Sequence, residues 1–455
     1  MKKYFIFSLL VLTSVLTYAQ TNPAILSWMQ NTTGIKGRHY LSGNSTPIND
    51  NDSSNVQTVY YSANWSYART KGIPAYITGP FLDGNPSIAT NQNAIFKFPL
   101  NPVQNTGTPT NTTGGDIGVF INGVALFDYR DGVSWKNSTG ALCGGPIMPA
   151  CTGDGVWNRD AVVAERAGFD CAKGHPAMGN YHHHQNPSAF NLDLNVISNV
   201  CNLYVADGLY VIDSTQHSPL IGFAFDGFPI YGAYGYLNVN GTGGIVRMKS
   251  SYHLRNITTR TQYADGSTVT AGPPVSGTYP LGYFREDYEY ITTSPATPDY
   301  LDEHNGRFCV TPEYPLGIYC YFATVDSNWN STYPYVVGPT FYGVRTGAKV
   351  TSITEAVTQY SPSVAGIITD EPEQLSVNIY PSPASDLVAI QANTLNRNNL
   401  DVRLFDITGK LVQETFIYQG STIAYFDTRT VYAGEYIVEI TDGSRVFKKK
   451  ITITK

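Results

Sequence analysis

The sequence predicts a mainly β protein, a large irregular β-rich domain followed by a small C-terminal β-sandwich. Its 33 tyrosines and 42 glycines, with only 14% charged residues, suit strands joined by tight turns. From Val56 onward, short apolar or alternating runs are separated by Gly, Pro, Asn and Asp clusters. Residues 374–455 then compress about seven alternating runs into one short stretch, the pattern of a sandwich.

In chain order, residues 1–19 read as a signal peptide. Lys2 and Lys3 begin it, Phe5 to Leu16 form the apolar run, and Thr17-Tyr18-Ala19 offers the cleavage site. The run is too short to span a bilayer, and no later segment serves as a transmembrane helix. Residues 20–55 read as an irregular lead-in anchored by Trp28. The main domain is expected over 56–347, with early strands at Val56–Tyr61, Ala75–Thr78 and Ala94–Phe98. Ile117–Phe127 reads as a buried hairpin turning at Asn122-Gly123. Asn158–Gly168 has helical periodicity and a glycine stop, making it the one clear helix of this half. Residues 348–373 lose periodicity and gain Ser, Thr, Pro and acids, as a linker does. The sandwich follows over 374–455.

Charge and cysteines narrow the function classes. The net charge of −6 divides unevenly: residues 20–373 hold eighteen Lys/Arg against twenty-seven Asp/Glu, residues 374–455 nine against eight. An acidic main domain argues against nucleic acid and anionic membrane surfaces and suits cations. Six cysteines behind a signal peptide favour disulfides. Fifteen connectivities are open; the simplest joins neighbours, 143 with 151, 171 with 201 and 309 with 320.

The residue types that carry chemistry gather at Cys171–Pro187. Four of the eight histidines, His175, His182, His183 and His184, fall within ten positions. Gly174, Pro176, Gly179 and Pro187 argue for an extended segment between turns, in which His182 and His184 share a face and His183 takes the other. With His175 folding back across Gly179, the set suits a borderline or soft metal. A solvated surface cluster and a buried hydrogen-bonded pair are the plain alternatives. Elsewhere, Asp226-Gly227 is explained by hairpin-turn chemistry alone, and Asp302-Glu303-His304 by a solvated turn. No Gly-x-Ser-x-Gly, P-loop or dinucleotide fingerprint is present.

Several separated motifs resemble the YHYH-domain family of secreted bacterial proteins. They are Gly174-His-Pro with Gly179-Asn-Tyr-His-His-His, His217 to Gly232, Ile117 to Val124, Leu301 to Glu313 and Tyr333 to Gly338. The resemblance implies that His182 and His184 are the family's named histidines; the tyrosine between them is here His183. It implies kinship more than chemistry, because the family carries no settled activity. Ile379 to Asp386, Leu404 to Lys410, Gly434 to Val438 and the basic end resemble the C-terminal sorting domain of the type IX secretion system of Bacteroidota. That implies delivery by the type IX machinery to the outside or the outer-membrane surface.

The first functional expectation is therefore an extracellular metal-binding protein. His175, His182 and His184 are the ligands, His217 and His304 further candidates, and copper or zinc the ion. Asp226 or Glu303 would act as base if the ion activates water for hydrolysis; redox chemistry is the other use of such an ion. The second expectation, from another class, is an adhesive module whose aromatics bind glycan or another small molecule without catalysis.

Overall fold

The computed structural model describes residues 22–83, 87–145, 149–189, 201, 208–293, 297–362, 377–392, 399–418, 421–442 and 446–455. The expected signal peptide lies outside them. What is described is mainly β, as the turn-punctuated pattern requires.

Two sheets face each other across the main core. The larger has eight strands, ordered His175–Ala177, Asn180–His183, Ala125–Phe127, Asp116–Phe120, Leu220–Ala224, Pro229–Tyr231, Ile318–Phe322 and Gly306–Cys309. Its middle strands read as unbroken apolar runs because both faces are covered; Leu220–Ala224 is buried at every residue. The expected hairpin forms, with Asp116–Phe120 antiparallel to Ala125–Phe127. The second sheet is antiparallel throughout, ordered Ala348–Val350, Ala94–Pro99, Trp65–Thr70, Val56–Tyr61, Thr358–Tyr360. Phe98 joins the layers, its ring 5.3 Å from Trp28, 6.1 Å from Phe223 and 6.0 Å from Phe225. A fully buried aromatic of this kind contributes about 1.5–3 kcal/mol from apolar burial.

Three expectations are corrected. The lead-in is not irregular: Pro23–Leu26 is a helical turn capped by Asn22, and Lys36–His39 pairs with Ile48–Ser53. The helix expected over Asn158–Gly168 shrinks to Ala161–Ala164 followed by a 3₁₀ turn at Arg166–Gly168, with Asn158–Asp160 extended. The Asp160 carboxylate accepts from the amides of Val162 and Val163, so the helix starts only after it. The linker reading fails over its first half, since Ala348–Val350 and Thr358–Tyr360 are edge strands of the second sheet. Edge strands need few apolar residues, so low hydrophobicity there was a poor guide. Residues 363–373 lie outside the described residues.

The tail is the expected small sandwich. Val377–Tyr380, Leu387–Ala392 and Ile423–Asp427 form one sheet; Leu411–Ile417, Leu400–Asp406, Gly434–Thr441 and Val446–Ile453 form the other. Alternate residues, among them Val402, Leu404, Val438, Ile440, Ile451 and Ile453, fill a hydrophobic core separate from the main one. Two disulfides follow the nearest-neighbour pairing, Cys143–Cys151 and Cys171–Cys201, but Cys309 and Cys320 are buried free thiols. The register explains this: Cys309 lies opposite Ile318 and Cys320 opposite Arg307, so the two cysteines are diagonal rather than facing.

Candidate metal centre

The histidine segment is a hairpin at one end of the eight-stranded sheet. Met178 and Gly179 form its two-residue turn with φ of 48° and 85°. Both angles are left-handed, the geometry that fits the twist of a tight hairpin. Gly179 also has no room to spare, because a Cβ there would come within 2.0 Å of Thr90 Oγ1. The turn sets His175 directly opposite His182. Cys171–Cys201 tethers the chain just before the hairpin, so Cys171 is a staple and not a ligand.

Alternation then sorts the side chains. His182 and His184 turn to one side, their Nε2 atoms 3.1 Å apart. His183 turns to the other, where its Nε2 meets the Tyr76 hydroxyl at 2.9 Å and Phe120 and Tyr181 stand edge-on to its ring. The histidine in the place of the family's tyrosine is thus packing, not ligation. His175, His182 and His184 are 6%, 2% and 4% exposed, which removes the solvated-cluster alternative. Each offers one nitrogen within 4.8 Å of the others.

Neighbouring strands fix the rings. Asn180–His183 runs parallel to Ala125–Phe127, so Phe127 stacks on His182 at 3.8 Å and 18°. The next residue, Asp128, turns its carbonyl to His184 Nδ1 at 2.6 Å, while His182 Nδ1 donates to the Asn180 carbonyl at 2.8 Å. A carbonyl only accepts, so both Nδ1 atoms carry a proton; a ring that stays neutral then presents its Nε2 lone pair inward, and a charged His184 ring presents a second N–H there.

One further residue reaches the cluster. Glu165 ends the short helix, which Ala161 pins to the Tyr129 carbonyl. Its Oε2 lies 3.3 Å from His175 Nε2 and 3.4 Å from His184 Nε2. Burial would pull the His184 ring down, but the Glu165 carboxylate outweighs it and holds that ring above its ordinary pKa. His175 is lowered to about 4 by burial and by His184; His182 falls well below its usual range through burial and the neighbouring His175 and His184. Sequence reasoning passed over Glu165 as one residue of a periodic helix. The available signal was its position as the sole acid between the Asp160 cap and Asp170, beside the glycine stop.

The other candidates have partners of their own. His217 donates from Nδ1 to the Ser218 carbonyl at 2.8 Å and packs between Tyr231 and Tyr236. His304 Nδ1 meets Thr340 Oγ1 at 2.7 Å, with the largely exposed Glu303 carboxylate 3.8 Å from its Nε2. Asp226 accepts from the Tyr321 hydroxyl at 2.6 Å and the Gly343 amide at 2.8 Å, in the turn that Gly227 completes at φ 90°. The structure brings together only His175, His182 and His184 of the seven, and places the turn chemistry of Asp226 in full view.

Fold and cluster together describe a mainly β protein with a buried imidazole cluster. Residues 95–334 match the YHYH protein family, and the chain belongs to it. Residues 378–454 match the secretion system C-terminal sorting domain, which directs a chain through the type IX machinery to the cell surface or beyond. No helix among the described residues is long and apolar enough to cross a membrane. No curated protein matches the chain. Among solved structures, a DUF3244 family protein with an immunoglobulin-like β-sandwich fold from Bacteroides vulgatus ATCC 8482 is similar to part of the chain. It is 22% identical, covers 17% of this chain and 81% of its own, and at a TM-score of 0.15 carries no argument.

Proposed function

We propose that this secreted protein binds one transition ion, copper or zinc, through His175, His182 and His184. The observation that supports the reading is the 3.1 Å approach of two Nε2 atoms whose Nδ1 partners are both committed to carbonyls. In a dry site two Nε2 atoms that close need either a cation between them or a proton on one of them, and the proposed occupant is a metal ion. A proton on His184, shared with His182 and Glu165, is the competing occupant, and it is the purely structural reading of the same geometry.

The two readings part on mutation. Under the metal reading, His182→Ala with His184→Ala abolishes stoichiometric copper or zinc binding in calorimetric titration and leaves the β fold standing. Under the structural reading the wild-type protein shows no such binding, and the double variant loses stability alone. Asp226 and Glu303 are engaged elsewhere, with Tyr321 and Gly343 and beside His304, so neither stands as the base for a hydrolytic use of the ion.

A further inference from the structure

Glu165 has been placed beside the histidines, but its role there is a separate question with a geometric answer. Bonds of about 2.0–2.1 Å to nitrogen and oxygen set the ligand atoms of a tetrahedral ion about 3.3–3.4 Å apart. Three of the six edges such a shell needs are near that length: 3.1 Å between His182 and His184 Nε2, 3.3 Å from Glu165 Oε2 to His175 Nε2, and 3.4 Å from Glu165 Oε2 to His184 Nε2; the three histidines lie within 4.8 Å of one another, and Glu165 must close on His182 to complete the set. Glu165 Oε2 and His175 Nε2 are also both buried atoms without a hydrogen-bond partner, close to each other yet poorly aligned for a bond. Buried polar atoms in a native fold are normally satisfied, so an unmade contact at 3.3 Å between these two is consistent with a cation that both would bind.

We infer that Glu165 is the fourth protein ligand, completing a three-nitrogen, one-oxygen shell around the ion that the histidines hold. The inference rests on the histidine reading and goes beyond it in consequence. With four protein ligands a tetrahedral ion such as zinc has no open position for a substrate water, so the site retains that ion rather than using it for hydrolysis. The carboxylate also offsets one of the ion's two charges in a site walled by Phe127 and Phe169, where an unbalanced charge would be costly.

The test uses the mature full chain loaded with copper(II) or zinc, in wild type, Glu165→Ala and Glu165→Gln, with circular dichroism as the fold control. Titration should show affinity reduced by at least about tenfold in Glu165→Ala, with Glu165→Gln between it and wild type. In the copper-loaded proteins, water-proton relaxation should be low for wild type and rise for Glu165→Ala as water enters the freed position. Wild-type binding that Glu165→Ala leaves unchanged, in affinity and in the copper EPR spectrum, overturns the Glu165 role and spares the histidine reading. A wild-type chain that takes up no ion overturns both. If Glu165→Ala does not fold, the Glu165→Gln pair of measurements decides on the same criteria.

Discussion

At the scale of single residues, the hairpin uses one strand for two unrelated purposes. His182 and His184 serve the cluster, while His183 belongs to a buried polar group with Tyr76, Tyr181 and Asp170. Tyr76→Phe strands the His183 ring and should cost about 1–3 kcal/mol in chemical denaturation while leaving metal stoichiometry unchanged. Loss of metal from that variant would show that the two faces are not independent. This division was legible in the sequence, because period two needs only an extended backbone, and Gly174, Pro176, Gly179 and Pro187 dictate one. Glu165 was not legible. It lies ten residues from His175, on a separate helical turn, and only the folding of that turn onto the sheet brings it near. His217 was singled out for its residue type, and its ring lies between Tyr231 and Tyr236, apart from the three clustered histidines.

At the scale of elements, the site depends on the turn at Met178-Gly179 and on the Cys171–Cys201 staple. Gly179→Ala forces a side chain into a left-handed position against Thr90. It should reduce metal affinity and stability together, the latter by about 1–2 kcal/mol, as calorimetric titration and thermal unfolding would report. Opening the disulfide releases a 30-residue separation and should cost about 3–4 kcal/mol. Strands and hairpins could be read ahead of the structure because their alternation is local. The edge strands Ala348–Val350 and Thr358–Tyr360 could not, since an edge position needs a neighbour rather than an apolar pattern. The missing third disulfide is the same lesson in register: spacing along the chain does not say which residues face each other across a ladder.

At the scale of the whole molecule, two cores share one chain. The tail keeps its own hydrophobic centre and touches the main domain through polar contacts, Gln216 with Tyr418, and Glu313 with both Tyr231 and Tyr425. Limited proteolysis is expected to cut between Pro362 and Val377 and leave two resistant pieces; cuts scattered through both would contradict separate folding. Acid should weaken the main domain for a named reason. Burial lowers His217 to about 4, below its usual 6.5, so the folded state resists its protonation. The stability this contributes is complete above about pH 6.5 and is lost as pH falls towards 4. His217→Asn should flatten that part of the stability profile in denaturant titrations. The address of the protein is set by the tail, and its proposed chemistry by a hairpin and a helical turn at one end of a sheet. The most direct test of that chemistry is the metal content of the mature protein, expressed without a histidine tag and purified without chelator, by elemental analysis. One copper or zinc per chain is the expected result; protein that carries none, and takes up no ion more tightly than millimolar, would contradict it.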